Sequence, residues 1–135
     1  MREFFRKRPW LTFLPFLFFY SLIVYFQNKI ILMGDEGRYL SFANNLLNGF
    51  YSPPPPDINL WNGPGYPLFL VPFVLAKLPL LVIRLANALL YYFSLLLVNK
   101  TLHRLLDPRQ AFLCTMLFAC YYMPYKSLQI GRAHV

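Results

Sequence analysis

Two long apolar stretches constrain this chain more than any other feature of its sequence. Residues 79–98 form an apolar run of spanning length, and residues 10–26, extended through 30–33, nearly reach that length. A helix needs roughly 20 apolar residues to cross about 30 Å of hydrocarbon. With 58% apolar and 13% charged residues, a soluble domain of 135 residues would expose too little polar surface. The chain is therefore predicted to be an integral membrane protein.

The positive charges lie at the ends of the apolar stretches. Basic residues precede the first stretch and follow the second: Arg2, Arg6, Lys7, Arg8, Lys100, Arg104 and Arg109. Cytoplasmic flanks of spanning helices have this arrangement, whereas a nucleic-acid site would place its cations along one polar stripe. The positions of these basic residues therefore predict a cytoplasmic N-terminus. They also indicate that the formal charge of +8 does not reflect a nucleic-acid partner.

The predicted fold class is all-α, with polytopic transmembrane helices and the N-terminus in the cytoplasm. Three spans are expected, at about residues 10–31, 79–106 and 110–125, with residues 32–78 forming an outer loop. This order places the basic "LDPRQ" turn on the cytoplasmic side, as the distribution of Lys and Arg requires. A multi-pass protein of the plasma (inner) membrane is the expected localisation.

Two short juxtamembrane helices are predicted within the outer loop. Residues 35–48 carry an apolar stripe at helical spacing, and Gly49 follows at the position of a C-terminal cap. Residues 66–77 would extend only about 18 Å as a helix and contain Pro72. Both segments are therefore predicted to lie at the outer membrane surface rather than to cross the bilayer.

The final residues, "IGRAHV" at 130–135, resemble the translation of a sequencing-library adapter. Residues 1–129 are accordingly expected to be the N-terminal part of a longer multi-pass protein. A short native polar tail is the alternative. Cys114 and Cys120 show no metal-ligand spacing and no disulfide framework, so no metal site is predicted.

Two of the five acidic residues, Asp35 and Glu36, are adjacent at the end of the first apolar stretch. One interpretation is that two acids in the first turn stabilise a helix through its dipole. The other is that Asp35 acts as a general base on an acceptor hydroxyl, while Glu36 orients the acceptor or holds a cation. In the second interpretation Arg38 offers a counter-charge to a phosphate, since guanidinium matches phosphate oxygens bidentately.

Arg84 is a further candidate, because it lies about five residues inside the second predicted span. A charge at that depth is costly and marks a functional site by default. It is predicted either to bind the phosphate of a lipid-linked donor or to extend its long side chain to the outer headgroups. Asn87, one turn further on, is expected to share that cavity or to form an interhelical hydrogen bond.

Three segments, "DEGRYLSFANNLLNGFYS", "NGPGYPLFLVPF" and "IRLANALL", occur in this order. Their order and spacing resemble the N-terminal part of the membrane glycosyltransferases that use polyprenyl-phosphate-linked sugars, similar to protein O-mannosyltransferases and lipid A aminoarabinose transferases. The resemblance implies inverting transfer of the sugar to an acceptor hydroxyl. It assigns the catalytic base to Asp35, with Glu36 beside it, and matches Tyr66 to the family's "PGYP" element, a substrate-binding position.

The predicted function is therefore sugar transfer on the outer membrane face by a parent enzyme of which this chain is an N-terminal fragment, inactive alone. The expected partners are the lipid-linked sugar donor, membrane lipids and the rest of the same chain. No cofactor is indicated by the sequence, and a divalent cation is compatible with it. Two alternatives stay open: another lipid-linked-sugar enzyme or translocase, and a small non-enzymatic membrane protein.

Overall fold

The structure, a computed structural model, describes residues 8–28, 32, 35–52, 56, 58 and 63–121. These residues form five helices: α1 (Pro9–Phe26), α2 (Glu36–Leu47), α3 (Gly65–Leu75), α4 (Leu80–Leu102) and α5 (Pro108–Cys120). No strand occurs in these ranges, so the all-α prediction is confirmed for them. The adapter-like tail at 130–135 and the end of the third predicted span lie outside the described residues.

Two helices, α1 and α4, are long and apolar enough to cross a membrane. Pro9 opens α1 at a position where its missing N–H costs nothing. Pro15 lies inside α1 and cannot donate to the carbonyl of Leu11, which belongs to the preceding turn. The Tyr92 hydroxyl of α4 donates to the neighbouring carbonyl of Trp10, so a polar contact joins the two helices close to this proline.

The third predicted span corresponds to α5, which has 13 residues and a length of about 20 Å. Its last carbonyl groups accept hydrogen bonds from tyrosines of the two long helices: Tyr20 Oη donates to Ala119 O at 3.1 Å and Tyr91 Oη donates to Phe118 O at 3.0 Å. The last carbonyls of a helix lack the usual partner four residues further on, and such donors satisfy them; Phe118 O also accepts from the Tyr121 N–H. The helix is too short to cross the bilayer alone, and a third span stays a prediction.

Helices α1, α4 and α5 alternate in direction along the chain. Phe13 of α1 lies beside Phe112 of α5, with ring centroids 6.1 Å apart, and Tyr20 meets Ala119 seven residues further along both helices. These two helices therefore run parallel. Helix α4 runs antiparallel to α5, because Asn99 near its end bonds to Thr115 while Tyr91 reaches Phe118. Consecutive spans of one chain would have the same alternation.

The two short loop helices are also present, as predicted. They pack against each other and against the start of α4, around the buried side chains of Ala43, Leu70 and Ile83. Helix α2 therefore buries one face against protein rather than resting on a membrane surface alone. Phe42 is buried on it as well, with its ring 4.9 Å from that of Tyr51.

Both short helices end in a Schellman motif, but with different residues in the left-handed position. Gly49, predicted as a cap, has φ 86° after α2, and Lys77 has φ 51° after α3. The Leu78 N–H bonds to Phe73 O and the Lys77 N–H to Val74 O, each at 3.0 Å. A lysine in this conformation carries a steric cost that glycine avoids.

Replacing Lys77 with glycine is therefore expected to stabilise the folded chain by about 1 kcal/mol. Gly49→Ala, the reverse change at the equivalent position of α2, is expected to destabilise it by a similar amount. The measurement is the midpoint of unfolding in increasing SDS at fixed detergent concentration. Destabilisation by Lys77→Gly would contradict the strain assigned to this turn.

Candidate functional site

The most deeply buried charges in the described part of the chain form one ion pair, between Glu36 of α2 and Arg84 of α4. Arg84 Nε donates to Glu36 Oε1 at 3.0 Å and Arg84 Nη2 donates to Glu36 Oε2 at 2.7 Å. Both side chains are 0% exposed. This is the parallel two-bond geometry in which guanidinium and carboxylate match best. Burial without such pairing would be costly for either charge.

A third group completes the pair. Arg84 Nη1 donates to Asn28 Oδ1 at 2.7 Å, just beyond the C-terminal end of α1. One guanidinium thus joins the end of α1, the first turn of α2 and the second turn of α4. We call Asn28, Glu36 and Arg84 the arginine clamp. It fixes the start of α2 against both long helices.

The clamp changes the expectation for Arg84. The sequence offered two partners, a donor phosphate or the outer headgroups, and the structure instead gives Arg84 the carboxylate of Glu36. The side chain is enclosed and does not extend to a surface. Glu36, predicted beside the base, is engaged by the same contact. No local pattern reveals this pairing, because the two residues are 48 positions apart.

Asp35 has a different environment from Glu36, although the two are neighbours in sequence. It lies at the N-cap of α2 and makes no side-chain capping bond. Its side chain is 20% exposed, and Oδ1 lies 3.4 Å from Nη1 of Arg38, which is 47% exposed. A solvent-accessible ion pair of this kind contributes about 0–1 kcal/mol and exchanges partners readily. Asp35 and Arg38 are therefore close together and accessible to a ligand.

Tyr66 lies in a cluster of aromatic rings next to the arginine clamp. Its hydroxyl donates to Asn87 Oδ1 at 2.9 Å, one turn beyond Arg84 on α4. The Tyr39 ring meets it edge-on at 5.1 Å, and the Phe69 ring stacks at 6.0 Å. Asn87 thus forms the interhelical hydrogen bond that was one of its two predicted roles. The side chain of Tyr66, which belongs to α3, therefore lies between α2 and the start of α4.

The pKa of Tyr66 is raised from 10.0 to about 12, mainly by burial of the phenol and in smaller part by the nearby charges of Glu36 and Tyr39. Since the unfolded chain ionises near pH 10 and the folded chain near 12, the neutral phenol contributes stability that is complete below pH 10. That contribution is expected to disappear as the pH rises from about 10 to about 12. The free energy of unfolding, followed against pH, tests this.

The matched variants are Tyr66→Phe and Tyr25→Phe, since Tyr25 is an exposed tyrosine of α1. The Tyr66→Phe protein should not show the loss of stability that Tyr66 causes between about pH 10 and about pH 12. The Tyr25→Phe protein should show the same loss as the wild type. Identical pH profiles for the wild type and Tyr66→Phe would show that Tyr66 ionises at the same pH in the folded and unfolded chain.

The predicted site residues thus fall into two groups at the same end of the long helices. Glu36 and Arg84 are enclosed in the clamp, whereas Asp35 and Arg38 are accessible and Tyr66 is half-buried. Asn28 is the one clamp residue that the sequence did not single out. Among the described residues no group of three or more His, Cys, Asp or Glu side chains could hold a metal ion. Comparison with protein-family models, curated proteins and solved structures finds no match to this chain.

Proposed function

We propose that this chain is the N-terminal part of a membrane glycosyltransferase that moves a sugar from a polyprenyl-phosphate donor to an acceptor hydroxyl on the outer membrane face. The observation that carries the proposal is the difference between the two adjacent acids. Glu36 is enclosed and paired with Arg84, whereas Asp35 remains accessible at the start of α2. A general base must reach the proton it takes, within hydrogen-bond distance. Asp35 meets that requirement and Glu36 does not.

The reaction uses Asp35 as the base and the lipid phosphate as the leaving group. The acceptor hydroxyl transfers its proton to the Asp35 carboxylate as its oxygen bonds to the anomeric carbon of the sugar. The bond between that carbon and the phosphate oxygen breaks, and polyprenyl phosphate leaves with the electron pair. Attack opposite the leaving group inverts the anomeric configuration. No cofactor is required for these steps to balance.

Arg38 is the cation best placed to bind the phosphate in this proposal. Its guanidinium lies one turn from Asp35, and its Nη1 is 3.4 Å from Asp35 Oδ1, which is a long distance for an ion pair. A phosphate that accepts two hydrogen bonds from the guanidinium would therefore compete effectively with Asp35 for Arg38. Arg84 instead positions α2 through Glu36. Tyr66 borders the same region as a half-buried ring next to Tyr39, and an aromatic cluster of this kind suits contact with the apolar face of a sugar or with an isoprenoid.

The setting of this chemistry is a multi-pass protein of the plasma membrane. Helices α1 and α4 have the length and composition of spans, and α1, α4 and α5 alternate in direction. With the N-terminus in the cytoplasm, the arginine clamp and Asp35 would face outwards. The donor's lipid tail would then lie in the bilayer beside α4.

The test is a transfer assay on membranes that contain the full-length parent protein, of which this chain is proposed to be the N-terminal part. Membranes are supplied with polyprenyl-phosphate-linked sugars carrying a radiolabel in the sugar, together with an acceptor that has free hydroxyl groups. The expected products are a labelled acceptor with inverted anomeric configuration and free polyprenyl phosphate. Membranes without the protein serve as the control. Donor consumption without acceptor labelling would favour the alternative of another lipid-linked-sugar enzyme, and no consumption of any donor would favour a non-enzymatic protein.

A further inference from the structure

The end of the molecule opposite the arginine clamp carries a cluster of exposed cations. This end of the molecule is formed by the start of α1, the end of α4, the turn at residues 103–107 and the start of α5. The rings of Phe13 and Phe112, 6.1 Å apart, bring the starts of α1 and α5 together. Four cations are exposed there, and we call them the basic rim: Arg8, Lys100, Arg104 and Arg109.

Three of these four cations, Lys100, Arg104 and Arg109, have no counter-charge among the described residues. Asp107 is the one described carboxylate of this end, and it is exposed. Lys100, Arg104 and Arg109 form no ion pair with any described residue, because both ion pairs there involve Arg38 or Arg84 at the other end. Like charges gathered in this way need an external anion to offset their repulsion.

Apolar side chains are exposed among these cations. Leu105 is 74% exposed in the turn between Arg104 and Asp107, and Trp10 is 51% exposed at the start of α1. Most of the Leu105 side chain therefore lies outside the protein interior, in a turn between charged residues. Cations interleaved with exposed apolar groups are typical of surfaces that bind headgroups and insert side chains into the boundary below them.

We propose that the basic rim is a binding site for anionic phospholipids. The guanidinium groups of Arg104 and Arg109 would bind lipid phosphates bidentately, Lys100 would add a point charge, and Leu105 would insert into the acyl boundary. A lipid fits better than a soluble polyanion because the rim lies directly at the ends of two apolar helices long enough to cross a bilayer. The site is independent of any catalytic role of Asp35.

The test uses the purified chain in a non-ionic detergent, with phosphatidylglycerol and phosphatidylcholine of identical acyl chains. Lipids retained by the protein are counted by native mass spectrometry. The wild type is expected to retain phosphatidylglycerol preferentially. Each cation near an anionic surface contributes about fivefold in binding, so Lys100→Gln should lower the preference about fivefold. The triple variant Lys100→Gln/Arg104→Gln/Arg109→Gln should lower it about 100-fold.

Lys77→Gln is the matched control, since Lys77 is an exposed lysine at the opposite end. It should leave the preference unchanged. All of the substituted side chains are exposed, and an unchanged helical circular-dichroism signal will show that the variants fold. Equal retention of both lipids by the wild type, or equal effects of Lys77→Gln and Lys100→Gln, would overturn the proposal. Competition by soluble glycerol phosphate as strong as that by the intact lipid would overturn the part assigned to Leu105.

Discussion

Replacing Arg84 with methionine is expected to destabilise the folded chain by about 3–5 kcal/mol. The substitution removes two hydrogen bonds and the guanidinium charge from the enclosed carboxylate of Glu36. Removing one partner of a buried pair is costly mainly because the remaining charge cannot be solvated. This loss of stability should be among the largest that any single replacement in the described chain causes. It should exceed the loss caused by shortening an exposed apolar side chain.

The measurement is the free energy of unfolding of four proteins in detergent: the wild type, Arg84→Met, Glu36→Gln and the double variant. The double variant should be markedly more stable than Arg84→Met, because no uncompensated charge is left. Arg38→Met, which breaks the exposed pair with Asp35, is the matched surface control and should change stability by at most about 1 kcal/mol. Additive losses in the double variant would contradict the pairing of Glu36 with Arg84.

Replacing Asp35 with asparagine in the full-length parent enzyme is expected to lower the rate of sugar transfer by about 10²–10⁴-fold, the usual contribution of a positioned general base. Asparagine keeps the shape and the polarity of the side chain but cannot accept the proton of the acceptor hydroxyl. The 20% exposed side chain makes a single 3.4 Å ion pair in the described structure, so folding should change little. The measurement is initial transfer rate per amount of inserted protein.

Asp107→Asn is the control for this experiment, since Asp107 is an exposed carboxylate at the opposite end of the helices. Its transfer rate should equal that of the wild type. Glu36→Gln should lower transfer in proportion to the loss of folded protein, which separates positioning from proton transfer. Full transfer by the Asp35→Asn protein would exclude Asp35 as the base. It would not contradict the contacts of the arginine clamp, because Asp35 is not part of them.

Much of the local structure could be predicted because local rules dominate it. The apolar periodicity after Asp35 predicted α2, and Gly49 marked its end through the left-handed conformation that glycine adopts without cost. The short apolar segment with Pro72 predicted α3 as a helix too short to span. Lys77 was not recognised as a cap, because lysine has no intrinsic preference for positive φ.

The arrangement of the candidate site could be predicted only in part, because it depends on contacts between distant segments. The adjacency of Asp35 and Glu36 indicated a site but did not show which acid would be enclosed. That depends on the rotation of α2 against α4, which directs Glu36 towards Arg84 and leaves Asp35 at the edge. The bond between Tyr66 and Asn87 likewise joins residues 21 positions apart, and no spacing rule predicts it.

The arginine clamp also bears on the order in which the chain is assembled. Glu36 is synthesised 48 residues before Arg84. Its carboxylate is therefore present before α4 leaves the ribosome. An unpaired arginine opposes partition of a helix into lipid by about 2.5–3.5 kcal/mol near its centre and by less near its end. Docking of α2 onto the emerging segment would pair that charge, so that the first turns of α4 would enter the bilayer without an uncompensated arginine. A chain in which α2 is displaced would therefore insert α4 less efficiently, although the sequence of α4 itself is unchanged.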